Sequence, residues 1–226
     1  RVALIVWVSG CCTTLIDPSD PAVIAKHRGS VRGEPPSPPS PPPQLPAGRM
    51  CYICDCRVAA RSKHCRRCNK CVSIFDHHCP WINNCVGERN YRWFIATLAS
   101  LVALNLVQIG ASVHACVELA DESERERILA SYTTPMSLVL YAPLLGVSLL
   151  GSTVSAFLVS QLLFFHFGLM ARRVTTYEWI LEQRERDQER EGTASCCDDC
   201  GQIIAPCLTK CSLACAERKE KRAARR

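Results

Sequence analysis

The sequence predicts an α-helical integral membrane protein with a small cytosolic cysteine-rich domain. Three observations carry that prediction: two long stretches hold no Asp, Glu, Lys or Arg, residues 51–85 lay out one Cys/His pattern twice, and Lys and Arg crowd into residues 26–92 and 172–226. The averages conceal this segregation, with 27 Lys+Arg against 21 Asp+Glu, a net charge of +6 and 48% hydrophobic residues over 226 positions. The 17 cysteines are odd in number, which excludes complete intramolecular disulfide pairing and turns attention to metal or thiol chemistry.

The elements follow in chain order. The chain opens on Arg1 rather than Met, and Val2–Ile16 is apolar but short for a span. We read residues 1–16 as the end of a transmembrane helix whose beginning lies upstream, in a chain that is N-terminally incomplete. No basic leader or small-residue cleavage site marks a signal peptide. Residues 17–50 read as a cytosolic Pro-rich linker, because the prolines of residues 34–46 favour extended polyproline II and build no core. A plain spacer is the simplest role there, and an SH3-type partner is the alternative. Residues 51–92 form the cysteine-rich domain. The run from Trp93 to Val117 would make a helix about 37 Å long at about 1.5 Å per residue, enough for a hydrocarbon core of about 30 Å. A second charge-free run extends from Ile128 to Ala171, and Pro143, suited to a first turn, places its helix at residues 143–170. A buried helix of a soluble protein is the bland alternative for either run.

Loop charges set the expected topology. The connection 118–142 carries only Arg125 and Arg127 among several acidic residues, so the positive-inside rule puts it on the lumenal side and both basic regions in the cytosol. Thiols there stay reduced.

Within residues 51–85 two interleaved copies of one layout appear: Cys51, Cys54, His64, Cys71, and Cys65, Cys68, His78, Cys85, with identical internal spacing. Thiolate and imidazole are the donors of tetrahedral structural zinc, so the spacing predicts two Cys3His zinc sites stapling a segment too short and polar to fold alone. Cys56, His77 and Cys79 are left over. Cys79 stands beside two imidazoles, one of which could take its proton, and Asp76 could orient that ring, so Asp76, His77 and Cys79 offer acid, base and nucleophile. A redundant metal ligand is the other reading of Cys79. Cys56, with no histidine nearby, reads as structural or incidental.

The run Asp76-His77-His78-Cys79 followed by Pro80-Trp81-Ile82-Asn83-Asn84-Cys85-Val86-Gly87 closely resembles the DHHC cysteine-rich domain of protein S-palmitoyltransferases. Asp17-Pro18 resembles the family's Asp-Pro-Gly region with Ser19 in place of Gly, and Thr175-Thr176-Tyr177-Glu178 resembles its Thr-Thr-x-Glu motif. Ala59 stands where many members have Pro. The Cys-Asp-Cys at Cys54, the Lys63–Cys68 run and the Pro-rich insertion look most like the subgroup of members 1 and 11. The resemblance implies a membrane enzyme with two structural zinc ions and palmitoyl-CoA as acyl donor. In it Cys79 matches the acylated nucleophile, His77 its base and Asp76 the residue polarising that base. It implies membrane-associated protein substrates with cytosolic cysteines, a lipid bilayer around the helices, and endoplasmic reticulum or Golgi as location with the catalytic domain cytosolic. Arg61, Lys63 and Arg89 are candidate contacts for the CoA phosphates, with simple positive-inside charge as the alternative.

The remaining features read more plainly. His114 and His166 are expected to be neutral histidines packed between helices, and Asn105 and Gln108 to hydrogen-bond a neighbouring helix. Thr175 and Glu178 have capping-box spacing for a helix after the last span, with Glu182 and Arg186 paired at i,i+4. In the cytosolic tail 171–226, Cys196, Cys197, Cys200, Cys207, Cys211 and Cys215 near the basic run Lys219–Arg226 suit lipidation of the protein itself. A catalytically weak membrane adaptor whose zinc domain binds signalling partners is the alternative function. A nucleic-acid finger is disfavoured by the flanking spans and by the lack of a recognition-helix pattern, so no nucleic-acid partner is expected.

Overall fold

The computed structural model describes residues 1–31, 48–131 and 138–200. The Pro-rich segment with its SH3-type expectation, and Cys207, Cys211 and Cys215, lie outside the described residues. Cys196, Cys197 and Cys200 are described only as part of a helix. Residues 1–177 form one unit and residues 178–226 a second.

Helix α1 (Val2–Leu15) is apolar throughout, as membrane helices are. Ser9 and Thr13, one turn apart, are its buried positions, and the Thr13 hydroxyl lies 3.2 Å from that of Thr97. Small polar side chains let two helix backbones approach closely, and here they line the seam against helix α3 (Tyr91–Ala120). The last carbonyls of α1 find donor partners in the cysteine-rich domain. Asn84 Nδ2 donates to Thr14 O at 3.0 Å and Ile16 O at 3.1 Å, and Asn90 Nδ2 donates to Thr13 O at 3.0 Å. Orphan carbonyls at a helix end need such donors, so two asparagines tie α1 to the domain that follows.

The linker expected from residue 17 does not begin there. Pro18 O accepts from Ser73 N at 3.2 Å, Ser19 bridges Val72, and helix α2 (Pro21–Val31) packs on the cysteine-rich domain. Asp20, 2% exposed, caps α2 through Ala22 N at 2.9 Å, while its other oxygen accepts from the Ser62 hydroxyl at 2.5 Å and Ala59 N at 3.1 Å. Periodicity missed this helix because a single buried aspartate and Val23 hold it, with little amphipathic contrast.

Helix α3 extends two residues before and three beyond the expected 93–117. A short helix α4 (Glu122–Ser131) occupies the expected loop, begun by Asp121, whose carboxylate accepts from Ser123 N at 2.9 Å and its hydroxyl at 2.7 Å. Helix α5 (Leu138–Arg172) starts before the expected residue 143, so Pro143 lies inside it rather than in its first turn. Its missing N–H forfeits one hydrogen bond near the helix start, a small loss in a long apolar helix. Both α3 and the stretch Leu140–Arg172 are long and apolar enough to cross a membrane, with only 17% and 11% of their most apolar windows buried. Such outward apolar surface is what lipid covers and what a soluble core helix lacks. Gln108 donates to Ser148 of α5 at 2.9 Å, whereas Asn105 bonds back to Leu101 O of its own helix at 2.8 Å. Helix α5 ends with Arg173 in the left-handed region at φ 55°, as Val174 N bonds Leu169 O. Helix α6 (Thr176–Cys200) follows, beginning just after Thr175; in the second unit it carries Glu182 and Arg186 3.9 Å apart.

Candidate active site

The cysteine-rich domain is built from three antiparallel hairpins: β1 (Arg49–Cys51) with β2 (Cys56–Val58), β3 (Lys63–Cys65) with β4 (Lys70–Val72), and β5 (His77–Cys79) with β6 (Asn84–Val86). They open at residues 49, 63 and 77, a constant step of 14. Each turn closes with a residue in the left-handed region, Asp55, Asn69 and Asn83 at φ 47°, 48° and 47°, a conformation Asp and Asn tolerate. Gly87 follows the third hairpin because a Cβ there would stand 2.5 Å from Val72 and 2.7 Å from Ser73 O.

Interleaving the hairpins assembles two donor clusters. His64 Nδ1 lies 3.8, 3.3 and 3.9 Å from the Sγ atoms of Cys51, Cys54 and Cys71. His78 Nδ1 lies 3.9, 3.3 and 3.7 Å from those of Cys65, Cys68 and Cys85, and the last two sulfurs are 3.4 Å apart. A tetrahedral zinc with bonds of about 2.3 Å to sulfur and about 2.0 Å to nitrogen would space its ligands at roughly these separations. The charges fit as well. Burial and the neighbouring thiols push Cys71 and Cys85 upward, so the clusters resist losing every proton unless a cation shares them. Burial and the cations Arg67 and His77 hold the His78 imidazole below its usual value, in the neutral form a metal takes. Cys56, raised by burial and by the charge of Cys54, stays an ordinary protonated thiol.

In the third hairpin Cys79 stands where Cys51 and Cys65 stand in the first two. Cys51 receives backbone N–H bonds from Ile53 and Cys54, Cys65 from Arg67 and Cys68, and Cys79 from Trp81 and Ile82. The third turn thus keeps the amide cradle of a metal-binding knuckle, but Ile82 replaces its second thiol and, among the described residues, no cluster closes on Cys79. What faces this sulfur instead is His77. Burial pushes the Cys79 thiol up, yet the hydrogen bond to His77, the two amides and the imidazolium charge outweigh it and hold the thiol below its ordinary value. Burial likewise opposes charge on His77, but the bonds to Asp76 and Cys79 raise it to about 9.

Asp76, 2% exposed, is the anchor. Its Oδ2 is 2.6 Å from His77 Nδ1, and it accepts from Thr176 N at 2.8 Å and the Thr176 hydroxyl at 2.9 Å. Burial pushes this carboxyl up, and these hydrogen bonds more than offset it, leaving it below the usual carboxylate range. With Nδ1 taken, His77 has Nε2 for Cys79. The sulfur packs beside Val86, Phe94, Leu98 and Leu163, facing the two long helices.

Of the candidate phosphate contacts, Lys63 lies 5.1 Å over the Tyr177 ring, which meets Phe75 edge-on at 5.7 Å, next to Asp76. Arg61 O accepts from Phe75 N at 3.4 Å, while Arg89 belongs to the loop entering α3. His114 is exposed beside Glu118, 3.4 Å away, and not packed between helices. His166 is buried, but against the site: one ring nitrogen lies within 4.8 Å of donor atoms of both Asp76 and His77. Sequence reasoning missed that placement and the Trp81 and Ile82 amides. The recurrence of Cys51, Cys65 and Cys79 at one step was the available signal for the amides.

A family model described as DHHC palmitoyltransferase matches residues 45–183. Over 146 residues the chain is 32% identical to probable protein S-acyltransferase 20 of Arabidopsis thaliana, covering 64% of this chain and 21% of that protein. It is 32% identical over 174 residues to palmitoyltransferase ZDHHC4 of Bos taurus, covering 72% of this chain and 48% of that protein. Against the Mus musculus protein of the same name it is 52% identical over 59 residues, covering 26% and 17%. The chain therefore spans less than half the length of these relatives, and none of the three bears on the narrower likeness to members 1 and 11. With two Cys/His clusters, two helices able to cross a membrane and a family match over more than half its length, this membrane protein belongs to the DHHC palmitoyltransferase family.

Proposed function

We propose that the protein is an S-acyltransferase that moves palmitate from palmitoyl-CoA to cysteine thiols of membrane-associated proteins through an acyl-enzyme on Cys79. The observation that carries this reading is the line from the buried Asp76 through His77, at 2.6 Å, to a thiol cradled by two amides. The Cys79 thiolate attacks the thioester carbonyl, the tetrahedral oxyanion collapses, and the CoA sulfur leaves with the proton of the His77 imidazolium, which leaves that ring neutral. A substrate thiol then gives its proton to His77 and attacks the same carbonyl, and Cys79 leaves as the thiolate. Little driving force is needed because each step exchanges one thioester for another. Zinc would be held by Cys51, Cys54, His64 and Cys71 and by Cys65, Cys68, His78 and Cys85, where it would supply cross-links that set the hairpins.

The apolar neighbours of Cys79 belong to this reading. A palmitoyl chain gains about 0.8 kcal/mol per methylene removed from water, so its place is along α3 and α5 within the bilayer. Arg61, Lys63 and Arg89 are the proposed partners of the CoA phosphates, the Pro-rich segment the proposed docking site of an SH3-type domain, and the endoplasmic reticulum or Golgi the proposed membrane, with the cysteine-rich domain in the cytosol.

Incubation of the full chain in detergent with an alkyne-tagged palmitoyl-CoA tests the proposal. The expected result is a hydroxylamine-sensitive label on Cys79, absent in Cys79→Ala, that a thiol peptide acceptor discharges. A label found only elsewhere and unchanged by Cys79→Ala overturns it in favour of an adaptor.

A further inference from the structure

We propose that His166 is a positioning residue of this site: from α5, bonded to Tyr91, it holds the His77 ring in the orientation that serves Asp76 and Cys79 at once. The inference deepens the reading of Cys79 as a thiol activated by His77 and rests on it. An imidazole 1% exposed inside an apolar helix is costly unless its polar atoms are satisfied, and Nδ1 of His166 lies 3.1 Å from the Tyr91 hydroxyl. A tie between α3 and α5 could stand anywhere along their seam. This one stands against the catalytic pair, with a ring nitrogen within 4.8 Å of an Asp76 carboxylate oxygen and a His77 ring nitrogen.

The rings around it form a wall. His166 meets Phe94 edge-on at 5.0 Å and 74°, Phe94 meets His77 edge-on at 5.4 Å and 71°, and the centroids of His166 and His77 are 6.0 Å apart. His77 must keep Nδ1 on Asp76 and Nε2 on Cys79, yet the torsion about its ring bond is broad and roughly two-fold. Thr176 fixes Asp76 from the α6 side, which settles one end of the pair. Phe94 and His166 close the other side of the imidazole, and the Tyr91 bond in turn fixes the His166 ring.

The test is the rate at which iodoacetamide alkylates Cys79 near neutral pH, resolved by mass spectrometry on the full chain in detergent, with zinc content measured alongside. His166→Ala is expected to slow alkylation about 10- to 100-fold with zinc unchanged, the scale of a misplaced catalytic group. Tyr91→Phe, which removes the same hydrogen bond from the other side, is expected to slow it in the same direction. His166→Asn, whose amide reaches the place of Nδ1, is expected to recover most of the loss. In a His77→Ala background His166→Ala is expected to add nothing, because it acts through His77. An unchanged rate in zinc-replete His166→Ala, or a loss that adds in full to that of His77→Ala, overturns the proposal. If His166→Ala loses zinc, Tyr91→Phe and His166→Asn decide: wild-type reactivity in Tyr91→Phe, or no recovery in zinc-replete His166→Asn, overturns it. Alkylation needs no palmitoyl-CoA, so failure of acyl transfer with the His166–His77 coupling intact would sink the acyltransferase reading alone.

Discussion

At Cys79 burial and charge pull in opposite directions, and charge prevails: His77 and two turn amides lower a thiol that an apolar pocket would raise. Because His77 is raised to about 9, the resting site holds thiolate beside imidazolium over the range between the two values. Alkylation of Cys79 should therefore increase as pH rises through the lowered thiol value and be well advanced below pH 9, the ordinary value. His77→Ala removes both the hydrogen bond and the cation, so its profile should shift to higher pH; an unshifted profile would detach His77 from the thiol. In the proposed transfer, acylation would neutralise Cys79, and with that charge gone His77 would give up its proton more easily, which suits it to receive one from the acceptor thiol. Asp76→Asn should slow acyl transfer by about 10² to 10⁴, measured as single-turnover label discharge, because the amide no longer fixes the ring as the carboxylate does. At Gly87 the contacts are backbone and a buried valine, so Gly87→Ala should cost about 1–3 kcal/mol in thermal unfolding.

Among the elements, the hairpins repeat one backbone design for two purposes. The first two turns close Cys/His clusters that could hold a metal ion and the third presents a lone thiol, so mutations should separate the two roles. Cys68→Ala should lower bound zinc below two per chain and reduce protein yield, whereas Cys79→Ala should leave zinc at two, both read by metal analysis of purified protein. Loss of metal from Cys79→Ala would make Cys79 a ligand. Helix α2 belongs with the hairpins: Asp20 satisfies its first turn and the loop at Ala59 and Ser62, and Lys26 donates to Cys54 O at 3.0 Å and Asp55 O at 2.8 Å beside the first cluster. Asp20→Ala strands those donors and should lower stability by about 1–3 kcal/mol, seen as a lower melting temperature and faster zinc release to a chelator.

For the first unit as a whole, the cysteine-rich domain is tied to the helices that flank it. Asn84 and Asn90 take the end of α1, Tyr91 opens α3 directly after the last hairpin, His166 reaches in from α5, and Thr176 locks Asp76 where α6 begins. These ties hold Cys79 beside Phe94 and Leu98 of α3 and Leu163 of α5. If both basic regions lie on one side, as loop charge predicts, Glu124→Cys in α4 should react with an impermeant maleimide only from the side opposite the cysteine-rich domain in sealed vesicles. Labelling from the same side would overturn that topology.

Spacing along the chain was enough to group eight Cys and His donors into two clusters and to set Asp76, His77 and Cys79 in one motif, because a knuckle and its return strand are local structures. Charge-free length was enough to find two helices of membrane-crossing size, though not their ends, since Pro143 is tolerated near a helix start. The tertiary fold decided what surrounds the thiol. Thr176 lies 100 residues from Asp76 and His166 lies 75 from Tyr91, and a helix apolar on every side gives no periodic cue to which face turns inward. The same limit hid α2 and the asparagine clasp on α1, whose partners are backbone atoms and so carry no signature in the residues opposite. Local geometry is written in spacing; the faces of uniformly apolar helices are chosen only when they pack.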